Sequence, residues 1–252
     1  MAEPTVRAAP VAIAMQRSPF EGHAAQTQPS RAGGVGVHLQ AHTLAGVLLI
    51  ATWPAAIAAL EQALAQALGL AAVPLRTGRT MPLGAVPFGG GASGAMLARH
   101  GQAGAKAVIG AVTGAVAGAG RAPGGNVLMR SGPFEFLLVC DGAAPTVDAL
   151  RTHVRSDIGS VTDIGHARCR IRISGDQCQA VLAKLFALDQ RPAAFPHGEL
   201  RLSGHHHVPC LLHRLEPDAF DLYVFTTYAH DQLGTLLEAA REYGVALALG
   251  QA

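Results

Sequence analysis

Four histidines and a cysteine crowd into Gly204 to Arg214, GHHHVPCLLHR, the stretch whose residue types could most readily do chemistry. Imidazole is a common metal ligand, and a His-x-His pair on one strand can hold a transition metal if a third ligand lies close. On a strand, His205 and His207 would share one face with Pro209 and Leu211, and His206 would face with Val208 and Cys210. The third ligand is the difficulty. Cys210, Leu211, Leu212 and His213 follow, Glu216 comes only after the strand should end, and Glu199 would have to fold back. An exposed strand face is the plainer reading, and no metal ligand is assigned.

Other chemical patterns are weaker. Ser160, Asp163 and His166 lie close along extended chain, where alternation does not converge them into a triad. Asp189 and Arg191 suit a structural ion pair. The chain carries no G-x-S-x-G elbow, Walker loop or H-E-x-x-H pair. FGGGASGA, 88–95, has neither a convincing strand before it nor an acid at ribose distance, as a dinucleotide loop requires. No catalytic, cofactor-binding or metal-ligating residue is therefore assigned.

The elements that would position such groups come from a chain of 252 residues, half of them apolar, long enough to bury a substantial core. Charged residues make up 14%, the formal net charge is +2, and there is no basic run of the kind nucleic acid selects. Cys140, Cys169, Cys178 and Cys210 fit neither a zinc knuckle nor a disulfide framework, and read as reduced thiols of a cytoplasmic protein. The first residues lack the positive start and long apolar core of a signal peptide, and no window reaches a membrane span of roughly 20 apolar residues.

Residues 1–34, rich in Ala, Pro, Gln and Gly, read as a loose arm. VGVHLQ and AGVLLIAT, 45–52, read as strands. A helix follows, with Thr52 as cap, Pro54 in its first turn, Ile57, Leu60, Leu64 and Leu68 on one face, and Gly69 as its stop. Residues 84–125 hold 13 Gly and 12 Ala and read as a poorly ordered or weakly helical insertion. Gly110, Gly114 and Gly118 would make a smooth face if it were helical. NVLMRSGPFEFLLVC then reads as two strands around a Gly-Pro turn, and TVDALRTHVRSDI as a helix capped by Thr146.

SVTDIGHA and ARCRIRIS are extended, with Arg168, Arg170 and Arg172 alternating against Cys169, Ile171 and Ile173. GDQCQAVLAKLF reads as a helix capped near Asp176. HHVPCLLHRL and FDLYVF are strands joined by the turn EPDA. YAHDQLGTLLEAAREYG is a helix stopped by Gly244, and VALAL a last strand. The second half thus reads β-α-β-β-α-β, and the first half can be read the same way. PFEFLLV, Pro133 to Val139, echoes PDAFDLYV, Pro217 to Val224, with Pro133 and Pro217 offset by 84, whereas Ile50 and Ile173 at the strand–helix junctions are offset by 123. The difference, 39, nearly equals the Gly/Ala segment, so the first half looks like the same unit carrying an insertion. The expected organisation is an arm 1–34, a lobe 35–165 with the insertion 84–125, and a lobe 166–252.

Several stretches resemble the gamma subunit of heterotetrameric sarcosine oxidase. His166, Arg168 and the run Arg172-Ile173-Ser174-Gly175 match its strand end. Leu188, Asp189, Pro192, Phe195 and Gly198 match its L-D-L-x-P segment. Leu212-His213-Arg214 and Phe220 to Val224 match its paired strands. SGPFEFLLV resembles its G-P-D-E-W-L-L-V pair, and QRSPF its start. The resemblance covers about residues 126–244 well and 35–83 faintly. It implies an α+β fold of duplicated β-α-β-β-α-β units, like the folate-binding domain of aminomethyltransferases of the glycine cleavage T-protein type. It also implies a non-catalytic subunit of a complex that oxidatively demethylates sarcosine to glycine. The one-carbon unit would pass to tetrahydrofolate or leave as formaldehyde, with hydrogen peroxide as co-product. Alpha, beta and delta chains would be the partners, and FAD, FMN, NAD and tetrahydrofolate would be bound by partner subunits and none by this chain. The equivalent subunit of N-methylglutamate dehydrogenase and a stand-alone folate-binding aminomethyltransferase-like protein are the alternatives.

Overall fold

The computed structural model describes residues 18–83, 125–141 and 145–250. The first half of the arm and all of the Gly/Ala segment but Gly125, including its glycine-faced helix reading, lie outside the described residues.

Two sheets stack face to face, and each carries helices on its outer side. The five-stranded sheet contains β3 (Gly46–Ala51), β4 (Thr80–Pro82), β5 (Val127–Gly132), β6 (Glu135–Cys140) and β7 (Ser160–Asp163), in the order β4-β5-β6-β3-β7. Its helices are α1 (Ile57–Leu68) and α2 (Val147–Arg151). The seven-stranded sheet contains β1 (Gln26–Gln28), β2 (Val37–Thr43), β8 (Arg168–Ser174), β9 (Leu200–His205), β10 (Val208–Glu216), β11 (Ala219–Phe225) and β12 (Val245–Leu249). Their order is β1-β12-β2-β8-β11-β10-β9, with α3 (Cys178–Leu185) and α4 (Ala229–Ala240) outside.

Alternation along each strand divides the apolar residues between helix and sheet partners. Leu48, Ile50, Leu128, Phe136 and Leu138 pack with Leu60, Leu64, Leu68 and Leu150 of the first helix layer. Cys169, Ile171, Ile173, Leu212, Phe220 and Leu222 pack with Val181, Leu182, Leu233 and Leu236 of the second. A third cluster joins the sheets themselves: Val47, Met129, Leu137 and Val139 meet Leu200, Leu211 and Tyr223. Each fully buried Leu or Val contributes about 1.5–3 kcal/mol of hydrophobic stabilisation.

The duplication is structural. The order β4-β5-β6-β3-β7 is repeated as β9-β10-β11-β8-β12, with β2 inserted between β8 and β12. Arg130 and Arg214, 84 residues apart, sit at matching bulges, between Arg130 and Gly132 and between Arg214 and Glu216. Arg130 donates to Pro133 O at 2.6 Å and to Pro74 O, pairs with Glu61, and covers the Phe136 ring. Arg214 donates to Pro217 O at 2.8 Å and to Gln190 O and Phe195 O, and covers the Phe220 ring. Between the halves, Thr80 N donates to Gly198 O and Leu200 N to Gly78 O, with Arg79 and Glu199 bridged antiparallel. Gly78 and Gly198 both have positive φ, 84° and 73°. This reciprocal pairing gives the halves a local pseudo-two-fold relation.

The structure departs from the sequence reading at several points. Val37–Thr43, expected with the first lobe, pairs with β8 and β12 of the second sheet, because Val37, Leu39 and Ala41 complete that sheet's helix-facing core. The arm expected to be loose from 1 to 34 is anchored in its described part: Phe20 is buried in the same core, and β1 pairs with β12. One aromatic anchor in a Pro- and Gln-rich context carries no periodicity to read. Thr52 does not cap the first helix, because a 3-10 turn, Pro54–Ala56, intervenes, and its hydroxyl donates to Ile158 O instead. Asp176 does not cap α3, whose N-cap is Gln177 without a side-chain bond. Thr146 does cap α2, accepting from Ala149 N, and Gly69 ends α1 at φ 63°. Strand β9 was not expected at all.

Candidate functional site on the inner face of the second sheet

The histidine cluster comes apart in the fold. His205 ends β9 and pairs with Val208, so His206 and His207 form the two-residue turn of the β9–β10 hairpin. Their φ angles are 48° and 66°, the left-handed values this turn requires and which Asn-Gly usually supplies. The turn ends the alternation. His205 is buried on the helix side with Val208 and Cys210, its Nδ1 2.9 Å from Gln232 Oε1, while His206 and His207 are exposed. The His205 and His206 rings stack at 4.1 Å, so their ring planes, and the lone pairs within them, do not converge on one ion. Among the described residues no group of three His, Cys, Asp or Glu is placed to hold a metal.

The other candidates resolve into local structure. Asp163 accepts from Gly165 N, Ser160 is exposed at the start of β7, and His166 is exposed in the turn between β7 and β8. Asp189 accepts from the Arg191 backbone and side chain, which hold its carboxyl down at about 2. Glu199 lies between Arg79 and Arg201, away from the histidine turn, and Glu216 closes β10 opposite Ala219. Burial pushes the thiols of Cys140, Cys169 and Cys178 up to about 12 and that of Cys210 to about 11, so none is a thiolate near neutral pH.

A different set of polar groups is brought together between the sheets. Across the seven-stranded sheet, Gln40, Arg172, Asp221 and His213 occupy one row, and His42, Arg170 and Tyr223 the next. Arg172 grips Asp221 with two bonds, Nε to Oδ1 at 2.7 Å and Nη2 to Oδ2 at 2.8 Å. Arg170 donates to Asp141 Oδ2 at 2.6 Å and lies 3.9 Å from Asp221. Asp141 follows β6, so this pair crosses between the sheets. Two guanidinium groups thus face two carboxylates, and such planar bidentate geometry offsets much of the cost of burying charge.

The surrounding groups respond to this field. Burial alone would lower the Arg170 pKa, but Asp221, Tyr223 and Asp141 raise it above its ordinary value. Burial, then Asp221, raises that of Tyr223. His42 is lowered by burial and by Arg170 and Arg172. His213 is lowered to about 4, chiefly by burial, against the pull of Asp221. Thr80 supplies its tautomer. The Thr80 hydroxyl donates to Gly198 O at 2.8 Å, so it accepts from His213 Nε2 at 3.0 Å. The proton of neutral His213 therefore sits on Nε2, and Nδ1 is a buried lone pair with no bond among the described residues. Chemically the cluster is a neutralised, largely buried ion-pair network with one uncharged imidazole, and through Asp141 and Thr80 it joins the two sheets. Its sequence signal was the Arg170/Arg172 alternation. His213 stood out only as one of the clustered histidines and Asp221 not at all as a site residue, because their roles depend on strands that pair across the sheet.

No family model matches the chain. The sarcosine oxidase subunit gamma of Corynebacterium sp. (strain U-96) is 26% identical over 194 residues, covering 77% of this chain and 91% of that protein. A chain of the heterotetrameric sarcosine oxidase from Corynebacterium sp. U-96, solved in complex with pyrrole 2-carboxylate, superposes with a TM-score of 0.60. The match covers 82% of this chain and 85% of that one at 19% identity. The glycine cleavage system aminomethyltransferase T of Bartonella henselae gives a TM-score of 0.50 at 14% identity, over 85% of this chain but 48% of its own length. At these identities the structural matches establish the fold, which is the α+β fold expected from the sequence. The sequence match along most of both chains, joined to that shared fold, makes the chain similar to the sarcosine oxidase gamma subunit.

Proposed function

We propose that the chain is a non-catalytic, gamma-type subunit of a sarcosine oxidase-like complex. The observation that carries this reading is the match to the gamma subunit over 91% of that protein's length. The inner-face network is in keeping with a structural role: its charges are paired with one another, and His213 is uncharged near neutral pH. The reaction of the whole would be oxidative demethylation of sarcosine to glycine, with the one-carbon unit passed to tetrahydrofolate or released as formaldehyde, and hydrogen peroxide formed. Alpha, beta and delta chains would be its partners, and FAD, FMN, NAD and tetrahydrofolate would reside on them. The complex would work in the cytoplasm; no helix among the described residues is long and apolar enough to cross a membrane.

The test is native purification of the tagged chain from its own cells, with mass spectrometry and a visible spectrum. Co-purification of larger chains with flavin absorbance, and oxidation of sarcosine by the assembly, is the expected result. A colourless, solitary chain overturns it. Preference for N-methylglutamate over sarcosine would move the subunit to the related dehydrogenase.

A further inference from the structure

The two sheets have four edges, and three are blunted. Strand β1 is three polar residues, β4 is three residues ending in Pro82, and β7 is four residues ending in Asp163. Short strands, proline and charge are the usual protections against unwanted pairing. Strand β9 has six residues, LRLSGH, with no lysine, proline or bulge; its one charge, Arg201, is paired with Glu199, and Leu202 is 68% exposed.

The phase of its hydrogen bonding is set. Leu200 N points away from β10, because it donates to Gly78 O. By alternation the N–H and C=O groups of Leu202 and Gly204 point outward too. Among the described residues neither makes a hydrogen bond on that side. Four backbone groups are thus ready for a further strand.

The flanking side chains say what kind of strand. On the face shared with Glu199, Arg201 donates to Ala194 O and lies over the Phe195 ring, and Arg79 lies across Glu199 from it. Glu199 is held by both, at 2.5 Å from Arg201 and 3.2 Å from Arg79. Arg76, in the adjoining turn, is exposed. Three guanidinium groups against one carboxylate leave a local charge of +2 (3 − 1). On the opposite face the edge offers Leu202. A strand laid here would present its side chains alternately to these two faces.

We propose that the outer edge of β9, from Leu202 to Gly204, is a strand-addition site for an extended segment of another chain whose residues alternate apolar and acidic. The apolar positions pack on Leu202 and the carboxylates meet Arg201 and Arg79. The inference deepens the subunit reading and rests on it for the presence of a partner.

Hydrogen exchange at the Leu202 and Gly204 amides, measured on the purified assembly and on the chain alone, tests it. The assembly should slow both amides at least tenfold, and the isolated chain should exchange them freely. Leu202→Lys should release the partner at least tenfold more readily than wild type, with Leu202→Val close to wild type and both melting near the wild-type temperature. Arg201→Glu should weaken the assembly, and added salt should weaken the wild type in the same direction. An intact assembly with both amides unprotected overturns the proposal and leaves the subunit reading standing. A chain that purifies alone overturns both. Protection in the isolated chain also overturns it: concentration-independent protection assigns the edge to the chain's own 84–124 segment, and concentration-dependent protection to a second copy.

Discussion

The two halves share one plan and use opposite chemistry on the faces that meet. At the offsets of 123 and 84, Val47, Leu49, Met129, Leu137 and Val139 of the first half correspond to Arg170, Arg172, His213, Asp221 and Tyr223 of the second. One sheet offers hydrocarbon and the other a network of two arginines, an aspartate, a histidine and a tyrosine. On the helix-facing sides the halves agree: Arg130 and Arg214 brace equivalent bulges, over Phe136 and Phe220. Duplicated units need the same internal bracing, but the surface where they meet is free to diverge, provided each buried charge keeps its partner.

Transplanting residues between the halves tests this contrast. The largest effect is expected at Asp221. Asp221→Leu, the residue of its counterpart Leu137, leaves Arg172 buried without its carboxylate and should cost about 3–5 kcal/mol in denaturant titration. Adding Arg172→Leu should recover most of that loss, since an apolar replacement of a whole buried ion pair is often neutral and Arg170 keeps its bond to Asp141. A double variant as unstable as the single one would break the comparison.

The paired arginines come next. Arg214→Met leaves the carbonyls of Gln190, Phe195 and Pro217 unmet in the interior and should cost about 3 kcal/mol. Arg130→Met should cost less, because Glu61, 23% exposed, can turn to water. Equal losses by thermal melting would mean that Glu61 is not relieved in this way.

His213 has a depressed folded-state pKa of about 4 against 6.5 when unfolded, so the unfolded chain takes up the proton first. Its stability contribution is complete above pH 6.5 and is lost as pH falls toward 4, by on the order of 3 kcal/mol. His213→Met, the residue of Met129, should flatten that part of the acid stability curve. An unchanged slope would place the titration elsewhere.

The smallest effect is at the β9–β10 turn. His206→Asn with His207→Gly should relieve two left-handed histidines and raise stability by about 1 kcal/mol. A loss instead would mean that the His206 stack on His205 contributes more than the turn strain. The corresponding connection in the first half runs from β4 to β5 and contains the Gly/Ala-rich segment. One position in the repeated plan thus holds both local departures: a long insertion in one copy and a strained histidine turn in the other.

Much of this was legible beforehand. The strands β3, β5, β6, β8, β10, β11 and β12 and the helices α1 and α4 follow from apolar periodicity with Gly and Pro punctuation, which are local properties. The repeat was legible because Arg130, Pro133 and Phe136 recur with one spacing as Arg214, Pro217 and Phe220. Strand β9 was not, because LRLSGH mixes polar and small residues, and its only ladder partner among the described residues is β10. The histidines misled because Val208 and Leu211 extend a strand pattern backward, and nothing local announces a turn made without Asn or Gly.

The sequence by itself determined the duplicated α+β plan, through spacing and alternation that each segment carries within itself. It also displayed the resemblance that the comparisons bear out. Only the tertiary structure decided that β2 crosses into the second sheet, that His206 and His207 turn rather than extend, and that Asp141, Arg170, Arg172, Asp221 and His213 meet. Those outcomes depend on which distant strands pair and which faces stack. That choice is made by the burial of whole faces and the pairing of buried charges, and no single window of sequence contains both sides of it.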